Sequence, residues 1–332
     1  MKITGFGDFL MHFSPIEKMR FHQAELMHLS FTGAEANVCM ALGFWGEETE
    51  FVTRLPEHSL SKKGVSFLKS NGVGVQHIVY GTGRMGVYFL ESGHSLRSSQ
   101  VIYDRGGTLF ANSSIQDYDW DHILFDTQIF YLSGITPSLS DNLLECCKEV
   151  LAECRKRNIP VFYDVNLRPA LCDIEKSREI FAALCPYITY LIGNEEHLKQ
   201  LLEIHISEQE DPSRLLDLTK RIQNDTKINN IAITVRRTPS ANKAIIYASY
   251  YDGTEFAVSE RTHIDVVDRV GSGDAFSAGV VYSFLHNFSA GKTVAFATAS
   301  SAIKHTINSD INFATVQEIE SLIDRKFCDV RR

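Results

Sequence analysis

The segment from Ile264 to Gly279 constrains the chain more than any other. Ile264-Asp265-Val266-Val267 mixes β-branched and acidic residues, Gly271-Ser272-Gly273-Asp274 follows, and an apolar run with helical spacing begins at Ala275. Any fold that holds this segment needs a strand, a tight turn and a helix start in succession. The glycines permit backbone angles closed to other residues and let the turn's amides approach a ligand. Amides at a helix N-terminus lack in-helix acceptors and sit at the positive end of the dipole, so they suit an anion, phosphate above all. Asp274 runs against that charge. It reads either as the acceptor of a proton from a hydroxyl that attacks phosphorus or as a plain helix N-cap.

The second half of the chain repeats a strand–helix–strand rhythm. Ile129-Phe130-Tyr131-Leu132, a helical stretch near 138–157 and Pro160 to Pro169 form a βαβ pattern, which predicts a parallel sheet with helices on its faces. Asp164, Asn166 and Arg168 alternate toward the end of a buried strand, where polar side chains are costly unless they serve a cleft. Two further strands, Tyr190 to Asn194 and Ile231 to Arg237, also end in polar turns.

The first third reads differently. Residues 2–13 form a strand interrupted at Gly5 and Gly7, with Asp8 after the break as a substrate contact or a loop aspartate. Thr32 to Gly43 opens with small residues and continues as a helix; Gly33 leaves room beside it and Asn37 can both donate to and accept from a hydroxylated ligand, although a closely packed helix needs the same residues. The strands within 9–32 and 84–108 are polar and aromatic, unlike the doubly buried strands of a parallel sheet. They predict a separate small β-sheet covering a cleft.

Two nucleotide motifs occur in the wrong surroundings. Gly81-Thr82-Gly83-Arg84-Met85-Gly86 fits the dinucleotide fingerprint by letter, but Val87 to Leu90 reads as a strand where the fingerprint needs a helix, so a hairpin is expected. Gly291-Lys292-Thr293 resembles the end of a P-loop whose first glycine falls on His286, with no strand before it, so an ordinary helix start is expected.

The 332 residues are 44% hydrophobic, enough for a full core, and a net charge of −8 argues against nucleic-acid or anionic-membrane partners. Seven cysteines, Cys39, Cys146, Cys147, Cys154, Cys172, Cys185 and Cys328, form no paired spacing and suit a reducing compartment. With no signal-peptide pattern and no membrane-length apolar run, the chain reads as cytoplasmic.

Asp268 followed by Gly271-Ser272-Gly273-Asp274 resembles the Asp-Thr-x-Gly-Ala-Gly-Asp signature of the ribokinase-like (PfkB) sugar kinases, with Arg269 and Ser272 in place of the usual Thr and Ala. The resemblance spans nearly the whole chain. It implies one α/β domain over 1–332, a mostly parallel sheet flanked by helices with a small β lid inserted, that in many relatives is also a dimer contact. It implies Asp274 as catalytic base, the amides of Gly271, Ser272 and Gly273 as anion hole, and ATP with Mg²⁺ as phosphoryl donor; no metal ligand is assigned.

Thr32 to Ala41 resembles the family's segment beneath the sugar, which places Gly33 and Asn37 near substrate. Asp164, Asn166 and Arg168 resemble its Asp-x-Asn-x-Arg motif. Tyr88, with Tyr103 and Arg105, looks like the lid of the 2-keto-3-deoxygluconate kinases, and Lys304 to Asp310 like that branch's closing segment, whose Asp touches a substrate hydroxyl. The resemblance thus implies a sugar acid as substrate, with Arg105 and Arg168 as two cationic contacts. A charged hydrogen bond contributes about 1.5–3 kcal/mol, or one to two decades of preference over a neutral sugar. Arg168 equally suits the nucleotide phosphates, and Arg105 a solvated strand edge.

On the nucleotide side it implies Asn166, Asn194, Thr234 and Arg236. Here the family's Asn-x-x-Glu is broken by His197, leaving Glu195 and Glu196 as substitutes, and Arg236 and Arg237 stand where a glycine-rich turn is usual. A neutral-sugar kinase and a non-catalytic sugar- or nucleotide-binding protein remain the alternatives.

Overall fold

A computed structural model describes residues 1–207 and 212–324 of the chain. Its centre is a large sheet whose strands run, in order, Phe256–Val258, Lys243–Tyr251, Asn230–Ser240, Tyr190–Asn194, Val161–Asp164, Thr127–Ser133, Lys2–Phe6, Thr49–Pro56 and Val73–Gly74. Neighbours from Asn230–Ser240 to Val73–Gly74 are parallel, and Lys243–Tyr251 returns antiparallel. Thr262–Asp265 also pairs with Lys243–Tyr251, and so feeds the glycine turn from the far edge of the sheet.

The run Thr127 to Ser133 is apolar because both of its faces are covered. Phe130 and Leu132 join the core beneath the helices Asp141–Lys156, Ile174–Leu184 and Glu195–Leu202, whereas Ile129 and Tyr131 join the opposite core against Ala34–Phe44, Ser272–Leu285 and Ala290–Lys304. Cys146, Cys147 and Cys154 are buried in the first of these cores, and the six cysteines among the described residues are all free; Cys328 lies outside the described residues.

A second sheet of four strands has the order Met27–Thr32, Leu10–Pro15, Gly86–Glu91, Gln100–Asp104. The expected hairpin at Gly81 to Gly86 is absent. Ile78–Gly81 lies parallel to Thr49–Pro56 as an extension of the large sheet, and Gly86–Glu91 lies parallel to Leu10–Pro15 in the small one. The turn therefore crosses between sheets. It still leads into a strand and not a helix, as the dinucleotide motif cannot. Gly291 to Thr293 sits in the first turn of Ala290–Lys304, capped by the Ser289 side chain. The first strand passes through Gly5 and ends at Phe6.

Candidate active site

A cavity of about 650 Å³ lies between the two sheets, at the carboxyl ends of the parallel strands, where open α/β folds place ligands. Leu10, Tyr88, Val101 and Tyr103 of the small sheet line its roof, and Gly271 to Asp274 line its floor.

Gly271 caps the helix Ser272–Leu285 with φ of 75°, and a Cβ there would fall 1.7 Å from the Asp310 carbonyl oxygen, so only glycine fits. The Ser272 amide donates to the Arg269 carbonyl at 3.3 Å and the Ala275 amide to Gly271 at 2.8 Å. That leaves the amides of Gly273 and Asp274 for a ligand at the cavity wall.

Asp274 is buried, yet it lines the cavity. Desolvation pushes its carboxyl up to about 7; the Asn37 hydrogen bond and Arg168 oppose the rise, while Asp164 and Glu35 add to it. Asn37 Nδ2 donates to Asp274 Oδ2 at 2.7 Å, and Asn37 Oδ1 accepts from the Thr32 hydroxyl at 3.0 Å, which fixes the amide's orientation. Gly33, one helical turn earlier, is required by packing: a Cβ would lie 2.1 Å from the Asp8 carbonyl oxygen.

Asp164 closes its strand with the carboxyl raised to about 6 by burial, against the Arg168 charge and the Ser277 hydroxyl. Asn166 stands two residues on, with φ of 38°, and its amide donates to Asp164 Oδ1 at 3.1 Å. Arg168 lines the cavity, gives one donor to the Leu167 carbonyl at 3.2 Å, and pairs with no carboxylate among the described residues.

Arg105 is not an equivalent second cation. Its Nη2 is 2.9 Å from Asp8 Oδ2, both side chains are buried, and the guanidinium lies over the Tyr103 ring at 5.9 Å. Burial raises the Asp8 carboxyl even against this pairing. Asp8 is thus a buried ion-pair partner and not a loop aspartate. Arg105 reaches the cavity wall with its charge largely answered.

Asp310 is likewise withdrawn. It lies behind the wall, where the Tyr88 hydroxyl donates to Oδ2 and His12 Nδ1 is 3.1 Å from the same atom. Burial opposes its ionisation, but His12, by hydrogen bond and charge, and the Tyr88 hydroxyl outweigh it and hold the carboxyl below its ordinary value. Through Oδ2 the carboxylate ties the small sheet to the large one, while its Oδ1 is buried without a partner among the described residues.

Asn194 and Thr234 sit side by side in register at the ends of adjacent strands, both on the cavity wall. Asn194 spends its side-chain oxygen as the cap of the helix Glu195–Leu202, accepting from the His197 amide at 2.8 Å. The expectation that Glu195 or Glu196 replaces a missing acid meets two obstacles: Glu195 is buried against Arg214 and Arg237, and Glu196 pairs with Lys199 at 3.0 Å. Desolvation, then Arg168 and Arg236, push His197 down to about 4, so it is neutral. Arg236 and Arg269 line the same end. Desolvation in the cleft and the mutual repulsion of these arginines lower the Arg236 guanidinium.

Sequence reasoning missed two buried groups. Glu35 lies under the site, its Oε1 accepting from the Ser133 amide and hydroxyl at 2.9 and 2.7 Å and from the Thr136 hydroxyl at 2.8 Å. Lys304 has no exposed surface, and its Nζ donates to the carbonyls of Asp268 at 3.4 Å and Ile307 at 3.2 Å, at the two ends of the loops that meet at Gly271.

A glycine-capped helix start, a buried carboxylate raised toward neutrality and an arginine-lined end share one cavity. Residues 2–315 match the pfkB family carbohydrate kinases. The chain belongs to that family. A 2-dehydro-3-deoxygalactonokinase of Haloferax volcanii is 27% identical to this kinase over 97% of the chain and 96% of the relative. Among solved structures, the 2-dehydro-3-deoxygluconokinase of Thermotoga maritima superposes with a TM-score of 0.95 at 31% identity, covering 98% of this chain and 99% of that one. A putative 2-keto-3-deoxygluconate kinase of Enterococcus faecalis gives 0.93 at 28% identity, with 100% and 99% covered. The ribokinase-like α/β fold expected from the sequence is the fold observed.

Proposed function

We propose that this kinase transfers the γ-phosphoryl group of ATP to the terminal hydroxyl of 2-keto-3-deoxygluconate, giving its 6-phosphate. The observation that carries the reading is Arg168, a cation that forms no ion pair with a carboxylate among the described residues, in the same cavity as Asp274 and the glycine turn. A guanidinium left open beside a hydroxyl-activating base favours a substrate with a carboxylate, which it binds bidentately. The names of the relatives at 27–31% identity support the same substrate class.

In this reading the terminal hydroxyl lies against Asp274, which takes its proton as the oxygen attacks phosphorus and the bond to ADP breaks. The amides of Gly273 and Asp274 donate to the transferred group, where charge develops. Gly33 and Asn37 border the sugar, Tyr88 and Tyr103 cover it, and Asn166, Asn194, Thr234 and Arg236 lie on the nucleotide side. Among the described residues no three metal-binding side chains cluster, so a Mg²⁺ ion would be carried by the phosphates and its waters, neutralising phosphate charge when bound.

The H. volcanii relative favours a second reading, the galacto epimer of the same acid. A coupled ADP-release assay with Mg-ATP tests both: the two epimers against fructose, ribose and gluconate. Turnover on a keto-deoxy acid alone supports the acid-recognition reading; turnover on fructose or ribose replaces it with a neutral-sugar kinase, and silence on all of them with a binding protein.

No helix among the described residues is long and apolar enough to cross a membrane, and the reading includes a cytoplasmic location. We also read the chain as a single unit that pairs through its lid. The face of the small sheet away from the cavity carries Phe13 stacked on Phe89 at 5.6 Å, with Ile102 46% exposed beside them. Light scattering that gives a monomer at micromolar concentration overturns the pairing.

A further inference from the structure

The small sheet touches the nucleotide end at one place far from the sugar. Its strands Gly86–Glu91 and Gln100–Asp104 are joined by a tip in which the His94 amide donates to the Arg97 carbonyl and the Arg97 amide to the His94 carbonyl, both at 2.9 Å. The tip is braced to its own sheet. Arg97 pairs with Glu91 at 2.6 Å and donates to the Lys18 carbonyl at 3.0 Å, and Glu91 accepts from the Phe21 amide at 2.8 Å. It therefore moves with the sheet as one piece.

This tip seats on the turn between Asn230–Ser240 and Lys243–Tyr251. The Ser95 amide donates to Asn242 Oδ1, Asn242 Nδ2 donates to His94 Nδ1 at 3.1 Å, and the Ala241 amide donates to the Ser95 carbonyl at 3.0 Å. The same turn is tied from behind to the segment that carries the glycines. The Ala241 carbonyl accepts from Arg269 Nη2 at 2.6 Å and the Asn242 carbonyl from the Val266 amide at 2.7 Å. The Arg269 carbonyl in turn accepts from the Ser272 amide at the start of the helix Ser272–Leu285. Arg269 is also one of the two residues that depart from the family signature, so that departure has a structural partner.

We propose that Asn242 is a positioning residue through which the position of the small sheet sets the glycine turn, so that a sugar acid held under the sheet tightens nucleotide binding. The inference rests on the proposed function for the identity of its two ligands. Its physical basis is that Asn242 spends both of its side-chain groups on the seated tip, while its carbonyl and that of Ala241 hold the segment 266–269. A ligand that favours the seated sheet then favours the same arrangement of Arg269 that the phosphates meet, and coupling between the sites follows by linkage. Neither Asn242 nor His94 lines the cavity, so removing the seat leaves both binding sites whole.

The test is a binding cycle by calorimetry on the full chain, with Mg²⁺ and a non-hydrolysable ATP analogue, in the presence and absence of saturating 2-keto-3-deoxygluconate. Wild type is expected to bind the nucleotide about 5- to 150-fold tighter with the sugar acid present, the usual span of such coupling. Asn242→Ala is expected to bring that ratio to about twofold or less, with nucleotide affinity alone changed by no more than about twofold. His94→Ala should lower the ratio in the same direction, and the double variant should be no worse than Asn242→Ala, because both remove one seat. An unchanged ratio in Asn242→Ala, or an equal loss of affinity with and without sugar, overturns the relay while leaving the kinase reading intact. A wild type that binds nucleotide but neither epimer of the sugar acid overturns the proposed substrate and the relay with it.

Discussion

Asn37 holds Asp274 by a single hydrogen bond of 2.7 Å, from the first turns of one helix to the first turn of another 237 positions along the chain. The bond reaches the ionised form of a carboxylate whose burial favours the neutral one. It leaves the proposed base poised near neutrality, where a general base is most effective. Asp274→Asn keeps the bond to Asn37 and removes the base. Turnover should fall about 10²–10⁴-fold with substrate affinity little changed, measured by steady-state kinetics on protein of unaltered circular dichroism.

The pH dependence follows from the same residue. As the proposed base Asp274 must be ionised, and its carboxyl is raised to about 7, so kcat/KM should fall about tenfold per unit as pH drops below that value. Asn37→Ala removes a contact that lowers the value, so the acid limb should move to higher pH. A limb that stays in place assigns it to another group.

Stability carries the opposite sign. A carboxyl raised in the folded state favours folding at low pH, and this contribution is lost as pH rises through its folded value, here between the ordinary 3.8 and about 7. Asp274→Asn is therefore expected to melt higher than wild type at pH 8 and to lose that advantage by pH 4. Thermal scans at the two pH values check it.

Arg105 and Arg168 should part company on mutation. Arg168→Ala should cost about one to two decades in kcat/KM for the sugar acid relative to a neutral sugar, with a normal melt. Arg105→Ala leaves Asp8 buried without its partner and should destabilise the fold by about 3–5 kcal/mol in urea titration. Equal melts for the two variants would contradict the distinction.

Lys304 should tolerate little. Its ammonium joins two loop carbonyls with no access to water, so Lys304→Met, which keeps the stem and loses the donors, should lower both the melting temperature and kcat, because the glycine turn is held from that side.

How far the sequence carried these conclusions depended on the range of the interactions. The parallel strands were legible because burial on both faces leaves an uninterrupted apolar run, as in Ile129 to Leu132, and the glycine turn because its conformation is local. The pairing at Gly81 to Gly86 was misread because turn chemistry does not say which sheet the next strand will join. Arg105 was read as a substrate cation or a solvated edge charge without its partner Asp8, which is 97 positions away, and the bond from Tyr88 to Asp310 was not foreseen because 222 positions separate them. The burial of Lys304 was not legible, because one of the carbonyls that receive its ammonium, that of Asp268, lies 36 positions away.

The central claim is that Asp274, Arg168 and the glycine turn make this chain a kinase for a keto-deoxy sugar acid. The most direct measurement is ADP release from Mg-ATP by wild type and Asp274→Asn, with 2-keto-3-deoxygluconate, its galacto epimer and fructose in parallel. The account predicts wild-type turnover on at least one of the two acids, little or none on fructose, and a loss of at least about a hundredfold in the variant. Turnover on fructose equal to that on the acids, or a variant within tenfold of wild type, would contradict it.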